Sequence, residues 1–332
     1  MSKPSQIATA VRTLASLKIP FYIAGPVGAG KSQVARQSAD ALGYEFTDVR
    51  LSQMDPTDIK GFPSPDAAKG VMRWLPADFL PKMGSKTKGL LFLDELVSAP
   101  TSVQAAAYQL ILDRRVGSYK LPEGWAIGGA GNRTIDRSIV HRMPAALANR
   151  LTHLDFEVDL DDFVAYAMAK NVSASLIAFL RFRSNLLHSF DPNTNPVAFP
   201  SPRAWFTVDK IMGANLPLTE EYMLVIGTVG APAAAEHAAF MRVVKTLPTV
   251  DEIKIAPDRT RVPTEPATLY ALTTSLAMAT DKATFPRFMD YIKRMDKEWQ
   301  VIYIRDALVK CNELKLDKTF TKWGVENADV IV

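Results

Sequence analysis

Residues 25–32 read Gly25-Pro26-Val27-Gly28-Ala29-Gly30-Lys31-Ser32, a full match to the pattern G-x-x-x-x-G-K-[ST]. No other stretch narrows the fold as much. The pattern works only when an apolar strand runs into it and a helix runs out of it. Both flanks are present: Phe21–Ala24 is apolar, and Ser32–Leu42 has helical composition and is stopped by Gly43. Glycines let the backbone curl until its N–H groups converge on phosphate oxygens, and the helix N-terminus adds its positive dipole end. In such a loop Lys31 reaches the β and γ phosphates and Ser32 offers a hydroxyl to Mg²⁺. The alternative is a glycine-rich turn carrying an exposed lysine.

A phosphate loop of this kind needs an acidic partner. Gly89-Leu90-Leu91-Phe92-Leu93-Asp94-Glu95 supplies one, as an apolar run closing on two carboxylates. A strand buried on both faces reads as a continuous apolar run, and ligands sit beyond the carboxyl ends of such strands. Asp94 is expected in the Mg²⁺ shell, with Glu95 as the general base that polarises the attacking water. A strand ending in a solvated acidic turn is the alternative. No N-K-x-D tetrapeptide for guanine occurs, so the expected nucleotide is ATP.

Three further positions have the right polarity. Trp125–Gly131 is an apolar stretch leading to Asn132, placed to reach between water and γ-phosphate, although Gly-Asn is also a common turn. Arg150 closes Met143–Leu151, a helical stretch. Arg203 stands in the first turn of a helix opened by Ser201-Pro202, where a cation opposes the helix dipole and points to a nearby anion, or to a surface ion pair.

The coarse organisation is an α/β fold. Strands are expected at Phe21–Ala24, Tyr44–Ser52, Leu90–Leu93, Ala126–Gly129 and His153–Val158, with a further helix at Ser102–Leu112. From about Asp159 the apolar spacing is helical, in Phe163–Ala169, Ser175–Leu187, Arg203–Met212, Ala267–Ala279 and Phe285–Asn312. The expected division is a nucleotide-binding domain over 1–158, a helical lid over 159–250 and a helical C-terminal extension over 251–332, the last boundary resting on the Leu247-Pro248-Thr249 break.

Apolar residues make up 48% and charged residues 22%, the balance of an ordinary globular chain. Cys311 is the only cysteine, which excludes an internal disulfide and a cysteine-based zinc site; His141, His153, His188 and His237 lack metal-ligand spacing. The first residues lack an apolar signal core, and no apolar run approaches the ~20 residues of a membrane span. A cytoplasmic protein without membrane contact is expected. The net charge of +4 permits nucleic-acid contact without a dense Lys/Arg block to argue for it.

Taken in order, these motifs resemble the AAA+ ATPases, and within them the MoxR branch, over roughly residues 5–210. The likeness includes Asp55-Pro56-Thr57-Asp58-Ile59-Lys60-Gly61, Ala99-Pro100 and Gln104 behind Asp94-Glu95, then Asn132, Asn149-Arg150-Leu151 and Ser201-Pro202-Arg203. As a whole the set looks like the MoxR-like ATPases carried by bacteriophages and prophages. The resemblance implies Walker A at 25–32, a helix-2 insert from 55, Walker B at 94–95, sensor 1 at Asn132, an arginine finger at Arg150 and sensor 2 at Arg203. It also implies a ring, usually a hexamer, with ATP and Mg²⁺ at each subunit interface. The sequence departs from the branch at sensor 1, where Gly129-Ala130-Gly131-Asn132-Arg133 replaces Ala-Thr-Gln-Asn-Pro, and Arg137 and Arg142 compete with Arg150 as the finger. Gly61–Trp74 and Arg114–Lys120, the latter with a central glycine suited to a hairpin, are expected as working loops of the ring or as ordinary surface loops. The implied work is chaperone-like remodelling of a partner protein, with a von Willebrand A domain protein as the partner class. A nucleic-acid motor or loader is the alternative, favoured by Arg114 and Arg115.

Overall fold

In the computed structural model, residues 1–82, 84, 87–133, 141, 143–194 and 196–327 are described. They form two compact units, one of Met1–Asp159 with Asp191–Asn195, the other of Leu160–Phe190 with Pro196–Val332.

The first unit is built on five parallel strands. They are β1 (Phe21–Ala24), β2 (Glu45–Arg50), β5 (Gly89–Asp94), β8 (Trp125–Gly131) and β9 (Thr152–Asp155), in the order β2-β5-β8-β1-β9. Two small antiparallel hairpins interrupt the series, β3 (Phe62–Asp66) with β4 (Val71–Leu75) and β6 (Arg115–Val116) with β7 (Tyr119–Lys120). Side chains alternate between the sheet faces, and the sequence obeys this period. Phe21, Ile23, Leu90, Phe92, Ala126 and Ala130 pack with Ile7, Val11 and Ala15 of α1 (Pro4–Leu17) and Ala35 and Ala39 of α2 (Lys31–Ala41). Tyr22, Leu91, Leu93 and Ile127 enter the opposite core, where α4 (Thr101–Asp113) contributes Val103, Ala107, Leu110 and Ile111. Two short helices, α3 (Pro56–Lys60) and α5 (Ala145–Ala148), complete the unit.

The expected strands and helices of this unit are present within a few residues. α1 was not foreseen, although Pro4 at its first turn and Ile7, Val11 and Ala15 at four-residue spacing carry its pattern. Gly61–Trp74 is ordered as the β3–β4 hairpin, and Gly117, at φ 57°, sits in the tight turn of the second hairpin.

The regular elements described in the second unit are all helices. Its elements are α6 (Leu160–Ala169), α7 (Ala174–Phe182), α8 (Pro202–Met212), α9 (Leu218–Val229), α10 (Ala231–Val244), α11 (Val250–Ile255), α12 (Pro266–Met278), α13 (Phe285–Ile292), α14 (Lys297–Lys310) and α15 (Lys318–Glu326). The expected single helix over Phe285–Asn312 is two, because Asp296 adopts an extended backbone (φ -61°, ψ 152°) and starts α14 afresh. One core joins Leu272, Phe288, Tyr291, Tyr303, Ile304 and Trp323, and a second cluster gathers Phe179, Trp205, His237 and Phe240. Arg181 and Asp306 form a buried bidentate pair, with Nη2 2.7 Å from Oδ1, and Nη1 also donates to Thr274 Oγ1 at 3.1 Å. No described helix is long and apolar enough to cross a membrane.

Candidate functional site

The strand order sets the site. β8 lies between β1 and β5, so the segments leaving the carboxyl ends of three adjacent parallel strands converge: Gly25–Ser32 after β1, Glu95 after β5 and Asn132 after β8. Gly28 and Gly30 take φ of 73° and 98°, a region that side-chain-bearing residues avoid, and Gly30 caps α2. The curl brings the N-terminus of α2 to the mouth of the sheet, an arrangement fitted to bind phosphate.

Lys31 is 8% exposed, and its ammonium is engaged on every side. Nζ donates to the carbonyls of Gly25 and Pro26, both at 2.9 Å, and to Asn132 Oδ1 at 3.0 Å. The P-loop lysine and the expected sensor residue, 101 positions apart, are therefore in direct contact. Ser32 Oγ donates to Asp94 Oδ2 at 2.6 Å. A hydroxyl and a carboxylate, both hard oxygen donors, fit Mg²⁺, which takes one or two protein ligands and leaves the rest of its shell to phosphates and water. Asp94 is 9% exposed, so an unpartnered charge there would be costly.

Glu95 stands at φ 57°. A non-glycine residue in the left-handed region costs roughly 1–2 kcal/mol and persists only where its surroundings over-determine it. Its N–H donates to Asp94 Oδ1 at 2.9 Å, its Oε2 accepts from the Ser52 hydroxyl, and Arg50 Nε lies 3.9 Å from Oε1. Sequence reasoning missed Ser52 and Arg50. The available signal was their place at the carboxyl end of β2, beside the strand bearing the acidic pair. Desolvation first, then the Asp94 charge, pushes the Asp48 carboxyl on β2 above the usual carboxylate range.

The expected arginines are placed as follows. Arg150 is exposed in the turn after α5 and makes no ion pair among the described residues. Arg203 is exposed in the first turn of α8 in the second unit, whose N-cap Ser201 Oγ accepts from the Ala204 N–H at 3.2 Å. Arg137 and Arg142 lie outside the described residues. Arg114 donates to the carbonyls of Pro122 (3.1 Å) and Trp125 (2.6 Å), so it anchors the chain ahead of β8.

Residues 20–135 match the family model of the AAA domain, dynein-related subfamily, a span that runs from β1 past Asn132. No curated protein matches the chain. Among solved structures, NtrX from Brucella abortus is 17% identical at a TM-score of 0.42, covering 92% of this chain and 67% of that one. A second NtrX structure from that organism, in complex with ADP, is 16% identical at a TM-score of 0.41, covering 98% and 68%. A variant of RuvB from Thermotoga maritima is 15% identical at 0.38, covering 87% and 86%. Residues 20–135 are therefore an AAA domain with the P-loop constellation inside it, and the chain is an ATPase.

Proposed function

We propose that the chain is a MoxR-like ring ATPase that couples Mg²⁺-dependent ATP hydrolysis to remodelling of a partner protein. The observation that carries the chemistry is the contact between Ser32 and Asp94 at 2.6 Å, with Glu95 adjoining Asp94 and Lys31 bound to Asn132. Ser32 and Asp94 would hold Mg²⁺, which supplies charge neutralisation on the phosphates when bound. Lys31 would exchange the carbonyls of Gly25 and Pro26 for phosphate oxygens, a stronger charge-assisted pairing. Glu95 would accept the proton of the attacking water, and Asn132 would orient that water against the γ-phosphate. Arg203 acts as sensor 2 and Arg150 as a finger donated to the neighbouring subunit of a hexamer. A von Willebrand A domain protein is the partner class that fits this reading. Arg114, one of two arginines favouring a nucleic-acid motor, is committed to backbone carbonyls, which weakens that alternative.

The test is Glu95→Gln. Loss of a general base costs ~10²–10⁴-fold in rate, so the variant should bind ATP as the wild type does and turn it over at that reduced rate. Turnover matching the wild type would remove Glu95 from the chemistry. Asp94→Asn should weaken hydrolysis and its Mg²⁺ dependence together.

A further inference from the structure

Left-handed backbone is ordinary where helices end. The other described non-glycine residues with positive φ are Lys18, Arg114, Asn171 and Asn215, and each follows a helix. Glu95 alone follows a strand. Something must hold its turn. Within the turn, the Glu95 carbonyl accepts from the N–H groups of Ser98 (3.0 Å) and Ala99 (3.2 Å), and the Leu96 N–H donates to the Ala130 carbonyl at 2.9 Å.

The His141 N–H donates to the Val97 carbonyl at 2.7 Å, and a buried side chain of α4 also reaches the backbone of the turn. Gln104 on α4 is 3% exposed, and its Nε2 donates to the carbonyls of Ala99 at 2.9 Å and Val97 at 3.3 Å. Carbonyls only accept, so the amide nitrogen must face them and Oε1 must point away. Oε1 accepts the Tyr108 hydroxyl one helical turn on. Burial pushes the Tyr108 phenol up to about 12, which keeps it a donor at working pH. Val97 in turn abuts β8: a Cβ added at Gly131, next to Asn132, would lie 2.7 Å from Val97 Cγ2. A displaced turn would therefore disturb Glu95 directly and press on the strand that carries Asn132.

We propose that Gln104, oriented by Tyr108, is a positioning residue for hydrolysis that holds the 95–99 turn so that the Glu95 carboxylate stays aimed at the attacking water. This inference rests on the reading of Glu95 as the base. Gln104→Leu keeps the volume and deletes both polar ends. In the full-length chain with Mg²⁺, it should lower kcat on the order of 10²-fold, the scale of a misplacement near 1 Å. Affinity for a fluorescent ATP analogue should stay within about threefold, because no phosphate contact is touched.

A packing defect could also slow the enzyme, so the deciding measurement is a double-mutant cycle. If Gln104 acts through the Glu95 carboxylate, adding Gln104→Leu to Glu95→Gln should cost almost nothing further. Unchanged kcat, multiplied losses in the double variant, or nucleotide affinity falling in step with kcat would each overturn the proposal. Should Gln104→Leu fail to fold, Tyr108→Phe removes only the orienting hydroxyl; kcat lowered roughly three- to tenfold at unchanged affinity is expected, and unchanged kcat overturns it. A normal rate for Glu95→Gln alone would instead bring down the general-base reading on which this one stands.

Discussion

Acidification should weaken the helical unit through one side chain. His237 on α10 is 3% exposed, lies edge-on to Phe179 at 5.1 Å and 5.9 Å from Trp205, and its Nε2 has no hydrogen-bond partner among the described residues. Such a setting penalises the imidazolium, and burial pushes the His237 pKa down from 6.5 to about 4. Unfolding restores the ordinary value. Between the two values the unfolded chain holds a proton that the folded chain refuses, so stability rises with pH across that window. The contribution is complete above 6.5, declines as pH falls, and is gone by about 4. At roughly 1.36 kcal/mol per pH unit, the gap amounts to about 3 kcal/mol, of which some 2.5 kcal/mol should be lost by pH 4.5. The assay is urea unfolding at pH 7 and pH 4.5 for the wild type and His237→Phe. Carboxylates titrating elsewhere affect both proteins alike and cancel in the difference. The wild type should lose about 2.5 kcal/mol more than the variant on acidification. Equal losses would refute the reasoning, showing that the imidazole finds a partner or water on protonation.

Lys31→Ala should abolish binding of ATP at micromolar concentration, because a buried cation facing the phosphate loop is lost; unchanged affinity for a fluorescent analogue would exclude that role. A finger in trans is worth on the order of 10³–10⁵ in rate, so Arg150→Ala should bind ATP yet hydrolyse it poorly. If Arg150 acts in trans, mixing this variant with Glu95→Gln should restore activity, since the second protein's finger can serve the first protein's base; a mixture that stays inactive while native mass spectrometry shows mixed rings would turn attention to Arg142 or Arg137. Asp306→Ala should destabilise the helical unit by about 3–5 kcal/mol by stranding the Arg181 charge, whereas Arg181→Met with Asp306→Leu should recover most of it; an equal loss in both, read by urea unfolding, would deny that the buried charge is the cause.

The parts of the site that are contiguous in the chain were legible. Gly25–Ser32 and Asp94-Glu95 each hold their polar groups in a short run of letters, and the apolar strands before them show where they must sit. What joins the runs was not legible. That Lys31 would rest on Asn132 depends on β8 lying between β1 and β5, a pairing decided over a hundred residues of chain. Ser52 and Arg50 were overlooked because a serine and an arginine after a strand have no signature until a partner strand is known. α9 and α10 escaped notice, although Pro217 and Pro232 stand at their starts, where a missing N–H costs nothing. Asp296 divided an expected helix because it carries the helical composition of its surroundings while serving as a start.

The middle strand of the site is almost bare of side chains toward β1. A Cβ at Gly128 would fall 2.3 Å from the Phe21 ring, and one at Gly131 would fall 2.2 Å from the Tyr22 hydroxyl. Two rings on β1 thus occupy volume that β8 would otherwise fill, one on each face of the sheet. In evolutionary terms the strands share a single allowance of space. A side chain gained at 128 or 131 demands a smaller residue at 21 or 22, and the smaller residue has to come first or in the same step. On this packing, positions 21, 22, 128 and 131 behave as a matched set, and recombination that separates residues 21–22 from 128–131 between parents differing there should yield chains that fail even though each half came from a working parent.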